Sequence, residues 1–139
     1  NLVSNRTAHS VLHEAGALPL LERMLENSDR FLHLCAASFL RGATTSRKMR
    51  ASIMRLEMLR ILLRLAKSGD VELQREIIAT LCNLSLTGLL GEKPNAFLDS
   101  LGLQTLLSFL CSADSIYRLF VAVGIGNIAS DFFIAFRDF

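Results

Sequence analysis

Val71–Ser85, VELQREIIATLCNLS, reads as one amphipathic helix that closes on Leu81-Cys82-Asn83-Leu84-Ser85. A Gly69-Asp70 break precedes it, and the spacing predicts a helix over Val71–Leu86. The ending recurs. Aligned on Asn1-Leu2-Val3, Gly42-Ala43-Thr44, Asn83-Leu84-Ser85 and Asn127-Ile128-Ala129, the chain shows intervals of 41, 41 and 44 residues. A period of this size marks a repeat architecture, in which each unit buries its apolar face against its neighbours.

Each unit resolves into three helices. The first has Arg6–Glu14, a corner at Ala15-Gly16, the helix Ala17–Ser28, and a third helix Arg30–Gly42 capped by Ser28 or Asp29. The second has Arg47–Leu56, then Glu57–Ser68, then the opening stretch. The third has Asn95–Leu101, a corner at Gly102, the helix Leu103–Ser112, and Asp114 capping Ser115–Ser130. The longer last interval comes from Thr87–Pro94, TGLLGEKP, whose glycines and proline mark a loop insertion. Pro19 stands in the first turn of its helix, where its missing amide hydrogen costs little.

At 139 residues the chain suits three to four stacked repeats. Its 51% hydrophobic content and 2 prolines exclude disorder, and the high apolar fraction fits helices that pack on two sides. The apolar run Leu119–Phe136 holds Asn127 and Asp131, so no membrane span is expected. Net charge is only +2, too balanced to point to nucleic acid. Arg41–Arg75 carries nine basic residues against three acidic ones, a local +6 against −4 elsewhere. Cys35, Cys82 and Cys111 are dispersed at no ligand spacing, which fits a reducing, cytoplasmic setting without excluding the nucleus.

The segments EAGALPLLERML (Glu14–Leu25), GDVELQREIIATLCNLS (Gly69–Ser85) and GNIAS (Gly126–Ser130) resemble the armadillo repeat family, and the pattern covers essentially the whole chain. The resemblance implies an all-α, right-handed solenoid of about three three-helix repeats. The units are approximately 1–43, 44–86 and 87–130, with 131–139 as the start of a further repeat or a cap. It also implies that the third helices line a concave groove, where an Asn near each helix end grips the backbone of an extended peptide. Both ends of the chain look cut, so further repeats are expected in a longer protein. DFFIAFRDF (Asp131–Phe139) holds four of the nine phenylalanines and is expected to pack on the last repeat.

The ladder Asn1, Asn83 and Asn127 is the first candidate for such a clamp. A side-chain amide offers one acceptor and two donors, enough to meet both groups of a passing backbone. The same capacity would serve to tie off the loop after each helix, and the residues leave both readings open. Peptide-binding members of the family carry Trp one turn before the Asn; here those positions are Ser38, Ala79 and Val123, and Gly42 replaces one Asn. Capture of a basic signal peptide is therefore not expected. Helical spacing directs Phe31, Ser38 and Arg41, then Glu72, Arg75, Glu76 and Ala79, then Ile116, Phe120 and Val123 into the groove. This mixed surface with an apolar end suits an amphipathic helix or an extended segment.

The basic block, with Arg47, Lys48, Arg50 and Arg55 on a first helix and Arg60, Arg64 and Lys67 on a second, belongs on the convex side. An ordinary solvated face explains it; an acidic protein, an anionic membrane or an RNA backbone is the functional alternative. His9 and His13 have the spacing of a two-point metal clamp but lack the remaining ligands, so no metal, cofactor or catalytic residue is assigned. Gly124-Ile125-Gly126 sits inside a helix, where small residues let neighbouring helices approach, rather than in a nucleotide-binding turn. The expected function is that of a non-catalytic protein-interaction module within a scaffold, adaptor or cytoskeletal complex. The alternative is a regulatory or targeting segment of a larger enzyme.

Overall fold

The computed structural model describes residues 16–54, 56–86 and 102–137. Among the described residues there are seven helices and no strand: α1 (Ala17–Glu26), α2 (Arg30–Ala43), α3 (Arg47–Ile53), α4 (Leu56–Leu65), α5 (Val71–Leu84), α6 (Gly102–Ser108) and α7 (Ser115–Arg137). The readings that fall on Asn1, Arg6–Glu14, His9, His13, Arg55, Thr87–Pro94 and Asn95–Leu101 lie outside these residues.

The corner before α1 is made by Gly16, whose φ of 68° is left-handed and would strain any residue with a Cβ. Each longer helix starts on an aspartate. The Asp29 carboxylate accepts from the Phe31 amide at 2.8 Å, Asp70 from Glu72 and Leu73 at 3.1 and 3.2 Å, and Asp114 from Ile116 at 2.8 Å. These caps satisfy amide groups that have no partner inside the helix, and so set where α2, α5 and α7 begin.

The helices form two layers. In one, α5 packs against α2 on one side and α7 on the other; in the second, α1 lies against α2 and α4, α4 against α5, and α6 against α5 and α7. The result is an all-α solenoid of stacked repeats. Helix α5 sits at its centre and buries Leu73, Ile77, Ile78, Leu81 and Leu84 together with Ala79, Thr80 and Cys82. Burying a Leu or Ile side chain fully is worth about 1.5–3 kcal/mol, so this one helix anchors both of its neighbours. The second layer supplies Leu21 and Leu25 from α1, and Met58, Leu59, Ile61 and Leu62 from α4.

Several boundaries differ from the sequence reading: α1, α4 and α5 end two or three residues early, at Glu26, Leu65 and Leu84. The corner between α3 and α4 falls at Met54 rather than Glu57, with no glycine or proline to mark it. Helix α6 closes at Ser108 instead of Ser112, through a series of tight turns in which the Phe109, Leu110 and Ser112 amides bond three residues back. Helix α7, expected to stop at Ser130, continues to Arg137. The stretch after Asn127 contains neither glycine nor proline, and nothing in it interrupts the backbone ladder. The packing expected of the phenylalanine-rich tail concerns side chains outside the described residues.

Candidate functional site

The third helices α2, α5 and α7 are locked to each other by polar contacts that repeat from layer to layer. Near their C-terminal ends the asparagines act as staples. Asn83 Nδ2 donates to the Arg41 carbonyl at 3.2 Å and to Thr44 Oγ1 at 3.1 Å. Asn127 Nδ2 donates to the Cys82 carbonyl at 3.5 Å and to Ser85 Oγ at 3.3 Å. Each hydroxyl sends its own hydrogen back into its helix, Thr44 to the Leu40 carbonyl at 2.8 Å and Ser85 to that of Cys82 at 2.5 Å. It therefore meets the asparagine as an acceptor, and the amide must present its NH₂ edge.

Ion pairs tie the same helices further along. Arg30 reaches Asp70 at 2.5 Å and Glu72 at 2.8 Å, Arg41 reaches Glu76 at 2.9 Å, and Arg75 reaches Asp114 at 2.7 Å. The Arg30 guanidinium holds the Asp70 carboxyl below its ordinary range, and Arg75 does the same for Asp114, with the cap amides adding to both effects. The α5–α7 seam is drawn close at Gly124. A Cβ there would lie 3.1 Å from both Cys82 Sγ and Leu106 Cδ1. The Cys82 thiol donates to the Phe120 carbonyl at 2.9 Å, and burial pushes its pKa up to about 12.

Across the exposed side of these three helices runs an open cleft of about 630 Å³. One wall is polar: Ser38, Arg41, Gly42 and Thr45 from α2 and its end, with Glu76 and Asn83 from α5. The other is apolar: Leu119, Phe120 and Val123 from α7. Ala79 and Cys82 form the floor. The Arg41 guanidinium spans the cleft, bonded to Glu76 and lying 5.7 Å from the centroid of the Phe120 ring. Glu76 Oε2 is buried at this wall with no partner.

The structure therefore brings together Ser38, Arg41, Glu76, Ala79, Asn83, Phe120 and Val123 from the expected groove set. Arg75 and Asn127 are not in the cleft lining. Arg75 is drawn to Asp114, and Asn127 is spent on the staple to α5. Phe31 and Ile116 are exposed away from the lining, and Glu72 is bound by Arg30. Sequence reasoning missed Gly42, Thr45, Cys82 and Leu119 as lining residues. Leu119 was within reach, because it stands five residues after its N-cap Asp114, the place at which the sequence reading directs Arg75 of α5 into the groove. On the outer surface Arg47, Lys48, Arg60, Arg64 and Lys67 are exposed. Arg50 departs from this basic set. It is half-buried and donates to the Thr44 and Thr45 carbonyls at 2.9 and 3.1 Å, covering the C-terminal end of α2. Among the described residues no group of three or more His, Cys, Asp or Glu is placed to hold a metal ion, and no helix is long and apolar enough to cross a membrane.

Residues 46–86 match the armadillo/beta-catenin-like repeat family. The fold is similar to that of an engineered protein solved by crystallography at the Northeast Structural Genomics Consortium, with 25% identity and a TM-score of 0.81 over 93% of this chain. The chain is an armadillo-like repeat protein. It spans about half of the engineered protein, 52% of its length. No curated protein matches the chain.

In this armadillo-like chain the asparagines that the resemblance pointed to as a peptide clamp are engaged between neighbouring helices. Asn83, a lining residue, has both amide hydrogens engaged by α2, which leaves Oδ1 as its remaining polar atom. The positions one turn earlier are Ser38, small and exposed, Ala79 on the floor, and Val123 on the apolar wall. Among the described residues no aromatic platform divides the cleft into side-chain slots there; the Phe120 ring in its lining is partly covered by Arg41.

Proposed function

We propose that this armadillo-like chain is a non-catalytic protein-interaction module whose α2–α5–α7 cleft binds a segment of a partner protein within a larger complex. The observation that carries the reading is the cleft itself, which has one hydrogen-bonding wall and one apolar wall. An extended segment fits this division. Its backbone amide meets Asn83 Oδ1, and an apolar side chain covers Leu119, Phe120 and Val123. The Arg41 guanidinium keeps N–H donors beyond the one used on Glu76, and these face a carbonyl or carboxylate of the segment. A scaffold, adaptor or cytoskeletal assembly in the cytoplasm is the setting we infer for such a module, and the exposed bases Arg60, Arg64 and Lys67 stay outside the binding event.

Selection of peptides from a random library on the immobilised chain tests this. Selected peptides are expected to lose at least about tenfold in affinity against Val123→Asp or Ser38→Arg, and to bind Arg64→Ala unchanged, since one well-packed contact is worth about 1–2 kcal/mol. Peptides that bind Val123→Asp and Ser38→Arg as tightly as the parent chain would place the interaction elsewhere.

A further inference from the structure

The second helices, with the turns that close them, present one row of residues to solvent in each layer. In the middle layer the row is Arg60, Arg64 and Lys67, counted back from the cap Asp70. Counted in the same way from Asp29, the layer before has Pro19, Arg23 and Glu26; counted from Asp114, the layer after has Gln104, Ser108 and Cys111. All of these residues are exposed. The fold therefore asks for no particular charge in the row, yet the middle layer carries three cations in line. Arg60 and Arg64 stand four residues apart on α4, a spacing at which like charges repel. The row thus works against the stability of its own helix.

Little within the chain uses these cations. Elsewhere Arg30, Arg41 and Arg75 hold carboxylates of a neighbouring helix, and Arg50 and Arg118 hold carbonyls. Arg60 has only Glu57, 3.7 Å away, and the two side chains are 66% and 63% exposed, so the pair is weak in water. The Arg64 and Lys67 side chains have no partner among the described residues. Helix α4 lines no part of the cleft, so the row is a second surface that does not depend on the reading of the cleft.

We propose that this row docks an acidic helix of a partner protein. Arg60 and Arg64 lie about 6 Å apart along α4, at about 1.5 Å per residue. Lys67 follows after a tight turn, closed from its amide to the Arg64 carbonyl at 3.1 Å. At about 2 Å per residue in such a turn, it lies about 6 Å further on. A helix with Asp or Glu at every fourth residue repeats its carboxylates at this same interval and meets the three cations in register. Arg23, at the Arg64 position of the adjoining layer, widens the cationic face, and Glu26, at the Lys67 position, bounds it. Other polyanions fit less well. Helix α4 has no aromatic residue for a base to stack on. Among the described residues no large apolar side chain of α3 or α4 is exposed to enter a lipid layer.

Fluorescence anisotropy at about 20 mM salt, where exposed charges are little screened, tests the proposal. The probe is a labelled alanine-based peptide of about 20 residues, long enough to be helical, with Glu at every fourth position. It is expected to bind at least about tenfold more tightly than the same peptide with Gln in place of Glu. That difference is expected to vanish with Arg64→Glu, and also with Lys67→Glu, which lies beyond the end of α4 and serves if Arg64→Glu disturbs the helix. Val123→Asp is expected to bind the Glu peptide as the parent chain does, which separates this surface from the cleft. A peptide with Lys in place of Glu is expected to prefer the double variant Arg60→Glu, Arg64→Glu over the parent by at least about tenfold. Equal binding of the Glu and Gln peptides overturns the proposal, as does a Glu peptide that binds Arg64→Glu and Lys67→Glu as tightly as the parent. It is overturned too if an oligouridylate of about 20 nucleotides, or vesicles with about 30% anionic lipid, bind the parent more tightly than the Glu peptide and lose that binding with Arg64→Glu, since the row then belongs to phosphate.

Discussion

Asn83 shows how a residue's role depends on which of its atoms are already committed. Its NH₂ edge is held by two acceptors on α2, so it couples neighbouring repeats, and under the proposed function only Oδ1 remains for a ligand. Gly124 and Gly126 make a similar contrast on one helix. Alanine at 124 brings a Cβ to 3.1 Å from Cys82 Sγ and Leu106 Cδ1, and neither neighbour yields easily: Leu106 is fully buried and Cys82 is bonded to the Phe120 carbonyl. Gly124→Ala is expected to destabilise the chain by about 1 kcal/mol or more, as overpacking does. At Gly126 no atom lies within 4 Å of such a Cβ. Gly126→Ala is expected to stabilise by about 0.5–1 kcal/mol, the ordinary gain of replacing glycine inside a helix. Urea titrations of both variants check the opposite signs.

At the scale of elements, the aspartates at the starts of α5 and α7 each do two jobs. Asp70 and Asp114 cap their own helix and pair with an arginine from the preceding third helix. Both carboxyls are held below the ordinary value of 3.8 by those partners. The sign follows directly: a depressed carboxyl stabilises the fold while the unfolded chain is also ionised, above that value, and the contribution disappears as pH falls through the lower folded value. Urea midpoints are therefore expected to stay level from about pH 7 to 5 and to fall below about pH 4. Asp70→Asn should flatten that acid limb; an unchanged limb would show that the Arg30–Asp70 pair contributes nothing to it. Element boundaries were only partly legible for a related reason. Aspartate caps announce a helix start in sequence, whereas the Met54 corner carries no breaker residue, and neither glycine nor proline marks an end for α7 at Ser130.

At the scale of the molecule, the α5–α7 seam can be followed through its cysteine. Cys35 and Cys111 are exposed, while Cys82 is buried with its thiol pushed up to about 12. Under native conditions at about pH 8, iodoacetamide is expected to label the two exposed thiols, and Cys82 more slowly by at least about tenfold, because only the thiolate of an opened seam reacts. Intact-mass measurements over time check this. Rapid labelling of all three would mean that α7 does not stay seated on α5.

Periodicity alone determined a great deal about this protein. The recurrence of Asn-Leu-Ser and its variants, the Leu-rich helices and the aspartate caps specify an all-α stack of repeats, because each depends on local backbone propensity and on a face that recurs every 3.6 residues. Tertiary structure alone decided which polar side chains are free. Arg41, Arg50, Arg75, Asn83 and Asn127 look alike as exposed polar positions in the sequence. Stacking gives four of them partners in a neighbouring repeat and turns Arg50 onto the end of α2, leaving a cleft whose apolar wall comes from the last helix. Those partners lie about 40 residues away along the chain, a distance over which hydrogen bonds are set by packing geometry and leave no local pattern to read.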